Sequence, residues 1–239
     1  MKAIVIVPAY NEQDNIRKTL EDLKENGAGT DILVMNDCST DGTEEILREM
    51  GVRHLTFPVN LGIGGGVQAG YRYARENGYD IAIQFDGDGQ HEARYLSALI
   101  APIEAGEADI TIGSRFVEHE GFQSSGVRRI GIRFLSKLIR LLCGVRVKDV
   151  TSGMRAVNRR FIEEYAEHYA QDYPEPEALL VAGLLKARIL EVPVQMKERE
   201  GGKSSISMVR SVYYMVKVSL ALIIGRFQKD KSRGGEQGA

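Results

Sequence analysis

Two aspartates stand one residue apart in the stretch Gln84-Phe85-Asp86-Gly87-Asp88-Gly89-Gln90-His91, directly after the apolar run Ile81-Ala82-Ile83. Carboxylates this close repel unless a cation lies between or in front of them, and hard divalent ions such as Mg2+ or Mn2+ take oxygen ligands. Gly87 and Gly89 leave the backbone free to bend so that Asp86 and Asp88 reach one ion. Asp-Gly pairs also build ordinary surface turns, which need no metal. His91 could serve as a base or a ligand, or as a hydrogen-bonded loop residue.

Other loops carry polar groups of the same kind. In Pro8-Ala9-Tyr10-Asn11-Glu12, Tyr10 could stack on a base. In Asn36-Asp37-Cys38-Ser39-Thr40-Asp41-Gly42-Thr43, Asp37 could accept from a ring N–H, which suits a nucleotide. Asn11 and Asp41 are also of the type that caps helices. The glycines of Asn60-Leu61-Gly62-Ile63-Gly64-Gly65-Gly66 could touch phosphate or ribose, or simply turn the chain. They fit a nicotinamide fingerprint poorly: with Gly62 and Gly64 as the first two glycines, the third position falls on Val67, and the loop follows the third strand, not the first.

The elements that must hold these loops alternate. Ala3 to Val7, Asp31 to Met35, Val52 to Phe57 and the run into Gln84 read as strands. Helices are expected from Asn11 or Asp14 to Asn26, from Asp41 to Met50, and from about Val67 to Glu76. Asp109 to Ile112 is a further strand. That rhythm predicts right-handed βαβ units in a doubly wound, mostly parallel α/β sheet. Ligands bind outside the carboxyl ends of strands in such sheets, which is where every loop above falls.

The 239 residues, 43% of them hydrophobic, suffice for one large core. A net charge of -2 and a pI near 6.1 exclude a protein held to nucleic acid by a global basic field. Cys38 and Cys143 are too few for a disulfide framework or a thiolate zinc site, and the apolar start is shorter than a signal segment, so a cytoplasmic protein is expected.

Together the quoted loops, with Gly113-Ser114-Arg115, resemble the family 2 glycosyltransferases of the GT-A (nucleotide-diphospho-sugar transferase) fold. Asp149-Val150-Thr151-Ser152-Gly153-Met154-Arg155, Glu191-Val192-Pro193-Val194 and Arg199-Glu200-Gly201-Gly202-Lys203-Ser204-Ser205 are similar to the dolichyl-phosphate or polyprenyl-phosphate sugar synthase branch. That branch usually has Phe where Met154 stands and often Lys where Ser205 stands. Many of its members carry transmembrane helices beyond this point. The resemblance implies an inverting enzyme with a UDP- or GDP-sugar donor and Mg2+ or Mn2+ on Asp86 and Asp88 of the DXD motif. By the same resemblance Pro8, Tyr10, Glu12, Asp37 and Gly62 would lie around the nucleotide, Gln90 beside the metal, and Arg115, Arg155, Arg199 and Ser204 near phosphates.

The acceptor decides what else is needed. A polyprenyl phosphate is already an anionic nucleophile, with a second pKa near about 6, as for a phosphate monoester, so it needs cations and no base. A sugar hydroxyl on a cell-surface polysaccharide or lipid-linked glycan needs a general base, for which Asp149, Glu175 and Glu177 are candidates. Tyr173-Pro174-Glu175-Pro176-Glu177 reads equally as a rigid helix entry.

On a helix from Gly131 to Cys143, Arg133, Lys137 and Arg140 form a basic stripe beside apolar residues, suited to an anionic membrane surface or to a solvated helix face. Val212 to Ile224 falls short of the roughly 20 apolar residues that span a bilayer. The expected layout is a catalytic domain over 1–206, a helix at a membrane interface or dimer contact over 207–228, and a disordered tail over 229–239. The protein would then sit peripherally at the inner face of the plasma membrane, alone, with a small membrane partner, or as a homodimer. A non-catalytic nucleotide-sugar binding subunit is the alternative from another class.

Overall fold

The computed structural model describes residues 1–117, 126–197 and 214–227, the side chains of 127 and 128 excepted. Seven strands form one sheet: β1 (Ala3–Ala9), β2 (Asp31–Asn36), β3 (His54–Thr56), β4 (Ile81–Gln84), β5 (Ile110–Ser114), β6 (Arg155–Asn158) and β7 (Ile189–Pro193). Their order is β3-β2-β1-β4-β6-β5-β7, and only β6 runs antiparallel to its neighbours. The helices are α1 (Ile16–Asn26), α2 (Thr43–Glu49), α3 (Gly62–Glu76), α4 (Leu96–Glu104), α5 (Gly126–Cys143), α6 (Arg159–Glu167) and α7 (Pro174–Leu184), with α8 over 214–227.

Both faces of the sheet are covered, which is why β1 is apolar at every position from Ile4 to Val7. Ile4 and Ile6 join Leu33, Tyr71, Leu135, Phe161 and Leu180 in the core beneath α3 and α5 to α8. Val5 and Val7 face the opposite way, into a core with Leu20, Leu47, Phe85 and Leu99. The doubly wound expectation holds, with β6 as the antiparallel exception. Strand order reverses between β1 and β4, so their carboxyl ends open a crevice, the position at which such sheets bind ligands.

Some expected boundaries change: α5 starts at Gly126, five residues before Gly131, and β3 covers only His54–Thr56. The glycines from Gly62 to Gly66 belong to α3 itself, which starts five residues before Val67. Glycine serves close approach here: a Cβ on Gly64 would lie 2.2 Å from the Ala170 carbonyl oxygen, and one on Gly70 would lie 2.3 Å from Ile6 Cγ2. Tertiary packing overrides the low helix propensity of glycine. Only Gly62, at φ +75°, uses the left-handed conformation that glycine permits.

α1 begins at Ile16 with Asn15 as its N-cap, so neither Asn11 nor Asp14 caps it. Asn11 Oδ1 instead accepts from the Thr40 N–H at 2.8 Å. Asp41 does serve the start of α2, accepting from Thr43 N–H at 3.0 Å and Thr43 Oγ1 at 2.6 Å.

α8 lies against α5 and α7. Leu142 O accepts from Arg226 Nε at 3.0 Å, and a Cβ on Gly131 would stand 3.0 Å from Met215 Sδ, so α5 and α8 run parallel in one register. Among the described residues no helix is long and apolar enough to cross a membrane. The residues 207–213 and 228–239 of the expected terminal helix and tail lie outside the described residues.

Candidate active site

The two loops on the β1 side of the crevice are stitched together. Asn11 N–H donates to Ser39 Oγ (3.0 Å), Glu12 N–H to Thr43 Oγ1 (3.0 Å), Gln13 N–H to Asp41 Oδ2 (3.1 Å) and Gly42 N–H to Gln13 Oε1 (2.8 Å). Most polar residues of these two motifs are therefore consumed in holding the loops to each other. Tyr10 stays half-exposed at the edge, with Pro8 partly buried behind it and Glu12 accepting from Asn15 Nδ2 at 2.9 Å.

Beneath them, Glu44 ties β2, α2 and β3 into one corner. It accepts from Thr56 Oγ1 and from Asn36 Nδ2 at 2.7 Å, with Arg48 Nε at 2.9 Å. The Thr56 bond is the main reason that its carboxyl falls to about 2, against the opposing effect of burial.

Asp37 lies at the end of β2, nearly buried, and its Oδ1 accepts from Leu61 N–H at 2.6 Å while its carbonyl accepts from Asn60 Nδ2 at 3.1 Å. Asp37 thus fixes the turn that enters α3 and places Gly62 at the same edge.

Across the crevice, the loop after β4 carries the two aspartates. Asp88 Oδ1 accepts from Gln90 N–H at 3.1 Å. Gln90 is pinned to the segment after β7, donating from Nε2 to Lys197 O at 3.2 Å and accepting from Lys197 N–H at 2.9 Å. Asp86 rests on the loop before β6: a Cβ on Gly153 would lie 1.9 Å from Asp86 Oδ2, so only glycine fits there. Burial acts to raise the Asp86 carboxyl, but the adjacent His91 imidazole, then Gln84 and Arg155, more than offset it and hold the group below the usual carboxylate range. Asp86 is therefore an anion at neutral pH.

A polar cluster backs the aspartates. Gln84 Nε2 lies 3.4 Å from both Asp86 Oδ1 and Glu175 Oε1, and Gln84 Oε1 accepts from Tyr169 at 3.1 Å. Burial raises the Glu175 carboxyl above its ordinary value, and Asp86 adds to that. Glu177 is also raised by burial, with Asp172 the second cause, and it sits two residues further along α7. Of the three expected base candidates, only Glu175 shares a hydrogen-bonding partner with Asp86.

Three of the expected site residues are held by other parts of the chain. Asp149 and Arg115 hold each other, with contacts of 2.6 Å from Nε to Oδ2 and from Nη2 to Oδ1, and Asp149 is fully buried. Both carboxylate oxygens of Asp149 are occupied by the guanidinium in this arrangement. Arg155 is fully buried in β6 and donates to Ser152 O at 2.8 Å and Glu175 O at 3.1 Å, so it braces the Gly153 loop against α7. Arg199 and Ser204 lie outside the described residues.

Gly153, Gln84 and Tyr169 are the site residues that sequence reasoning missed. The Ser152-Gly153 pair inside the Asp149 to Arg155 motif was the available signal for Gly153. Gln84 had one as well, as a lone amide at the end of an otherwise apolar strand.

Among the described residues no group of three or more His, Cys, Asp or Glu side chains could hold a metal. Two carboxylates one residue apart still suit a divalent ion of the kind that takes its remaining ligands from water and substrate phosphates. Asp86 and Asp88 are the residues that would hold it.

Residues 4–166 match the sequence profile of glycosyl transferase family 2. The chain belongs to glycosyl transferase family 2. This family 2 enzyme is 31% identical over 217 residues to an undecaprenyl-phosphate mannosyltransferase of Micrococcus luteus, covering 87% of this chain and 88% of that one. It is 30% identical over 248 residues to a polyprenol monophosphomannose synthase of Mycolicibacterium smegmatis, covering 98% and 91%. The fold matches that of glucosyl-3-phosphoglycerate synthase from Mycobacterium tuberculosis, solved in complex with Mn2+, uridine diphosphate and glucosyl-3-phosphoglycerate. The TM-score is 0.72 at 20% identity, over 94% of this chain and 79% of that one. The architecture is thus the GT-A fold, as the sequence motifs imply.

Proposed function

We propose that this family 2 glycosyltransferase moves a sugar from a UDP- or GDP-sugar to a polyprenyl phosphate at the inner face of the plasma membrane, with inversion at the anomeric carbon. A phosphate oxygen of the acceptor forms the new bond to C1 as the bond from C1 to the donor diphosphate breaks. Mg2+ or Mn2+, held by Asp86 and Asp88, would offset charge on the departing diphosphate. Tyr10 and Asp37 would receive the base. The names of the relatives support the acceptor class, and the complex of the mycobacterial synthase supports the donor and the metal.

The observation that carries the membrane half of this reading is the outer face of α5 and α8. Phe134 is 52% exposed, Leu141 82% and Phe227 64%, and Ile130, Val216, Leu220 and Ile224 are exposed beside them. Arg129, Arg133, Lys137 and Arg140 are also exposed on α5, and Lys217 on α8. Apolar groups interleaved with cations match the headgroup region of an anionic bilayer. The face is joined to the site through α7, because Tyr214 packs edge-on against Tyr173, two residues before Glu175.

A second reading has a sugar hydroxyl as acceptor, and the raised carboxyl of Glu175 beside Asp86 favours it, since a general base works best when its pKa approaches the working pH. The test offers labelled UDP- and GDP-sugars with Mn2+ to the purified protein, with either polyprenyl phosphate in liposomes or a soluble glycan. Transfer to the lipid that EDTA and Asp88→Ala both abolish is expected. Transfer to the glycan alone would overturn the proposal.

A further inference from the structure

We infer that His91 is a positioning residue for Asp86, holding that carboxylate in the orientation a bound divalent ion requires. The inference rests on the proposed metal role of Asp86 and adds a residue to it.

His91 sits in the loop after β4, yet its side chain is only 1% exposed. Neither ring nitrogen has a hydrogen-bond partner among the described residues. A buried polar group left without one is uncommon and points to a role that packing does not explain. The ring lies against Phe85, with centroids 5.6 Å apart, in a setting that an apolar side chain would fill without leaving two orphaned nitrogens.

What the ring faces is Asp86. His91 Nε2 is 3.8 Å from Asp86 Oδ2, longer than a hydrogen bond but within reach of one after a shift of about 1 Å. The other neighbours limit where the carboxylate can go. Gly153 leaves no room behind Oδ2, and Gln84 approaches Oδ1 at 3.4 Å. The imidazole N–H is therefore the donor placed to close on Oδ2 after that shift, and it would guide the rotation of Asp86 toward an ion at the crevice. Hydrogen bonds of this outer kind set ligand orientation and tune metal affinity.

The test uses His91→Phe, which keeps a ring beside Phe85 and removes the donor, and His91→Gln, which restores a side-chain N–H. Mn2+ is titrated into each protein with UDP and, separately, GDP present, and free Mn2+ is read by electron paramagnetic resonance. A thermal melt accompanies each titration. The expected result is Mn2+ binding about 10- to 100-fold weaker in the Phe variant, with a melting temperature equal to or above wild type, and recovery of most of the affinity in the Gln variant. Unchanged Mn2+ affinity in the Phe variant would overturn the inference. So would a weakened affinity that tracks a lowered melting temperature and that Gln does not rescue. If the wild-type protein itself binds no Mn2+ with either nucleotide, the metal reading falls and this inference falls with it, an outcome distinct from the other two.

Discussion

Arg115 grips Asp149 at both carboxylate oxygens, at 2.6 Å each, and neither side chain is more than 4% exposed. Removing one member of such a pair leaves a buried charge uncompensated. Asp149→Asn is therefore expected to cost about 3 to 5 kcal/mol of stability, a drop in melting temperature of roughly 6 to 20 °C for a domain of this size. Loss of turnover with an unchanged melt would instead restore Asp149 as a base.

Gly153→Ala is expected to abolish turnover while leaving the fold in place. The added methyl would collide with Asp86 Oδ2, and relief comes most easily by displacing that carboxylate. Circular dichroism should be close to wild type, and the stabilisation of the protein by Mn2+ with UDP or GDP should disappear. Retained metal-dependent stabilisation would contradict the assignment.

Glu175→Gln separates the two acceptor readings. With a phosphate nucleophile no base is needed, and turnover should stay within about threefold of wild type; a hydroxyl acceptor predicts a fall of about 10²- to 10⁴-fold. Because the folded-state pKa of Glu175 is raised by burial, the native protein binds more protons there than the unfolded chain, and its ionisation weakens the fold as pH rises above 4.5. The Gln variant should therefore gain stability relative to wild type as pH increases, measured by urea midpoints.

Glu44 has the opposite sign. Its carboxyl lies near 2 in the folded protein against an ordinary 4.5, first because Thr56 donates to it. Its contribution is fully present above pH 4.5 and is lost as pH falls toward 2. Glu44→Gln should be less stable than wild type at neutral pH, with the gap narrowing on acidification. A gap independent of pH would refute the linkage.

Replacing Leu141 and Phe227 by Asp should leave the melt nearly unchanged, because both side chains are exposed, while reducing sedimentation with anionic vesicles. Vesicle binding equal to wild type, combined with loss of a dimer in light scattering, would assign the face to contact between copies.

β1 to β5 were legible in the sequence, most clearly Ile4 to Val7, which is apolar at every position because both faces of the sheet are covered there; β6 and the part-exposed β7 were not read as strands. With β1, β2 and β4 read as parallel strands, the aspartate pair and the loops after β1 and β2 fell on one edge. Partnership across the chain was not legible. Nothing local to Asp149 announces that Arg115, 34 residues earlier, closes on it. The burial of Arg155, expected near phosphates, follows from β6 being inserted antiparallel between β4 and β5. Gly62 to Gly66 read as a loop because the requirement for glycine comes from partners distant in sequence, as with the Ala170 carbonyl against Gly64.

The bonds that join the loop of Asn11 to Gln13 with that of Ser39 to Thr43 have a thermodynamic consequence for the proposed capture of a donor. The conformational entropy of that wall is surrendered when the chain folds, before any nucleotide arrives. Under the proposed function, a donor docking against it would meet a preorganised surface, and more of the contact energy there would remain available as affinity.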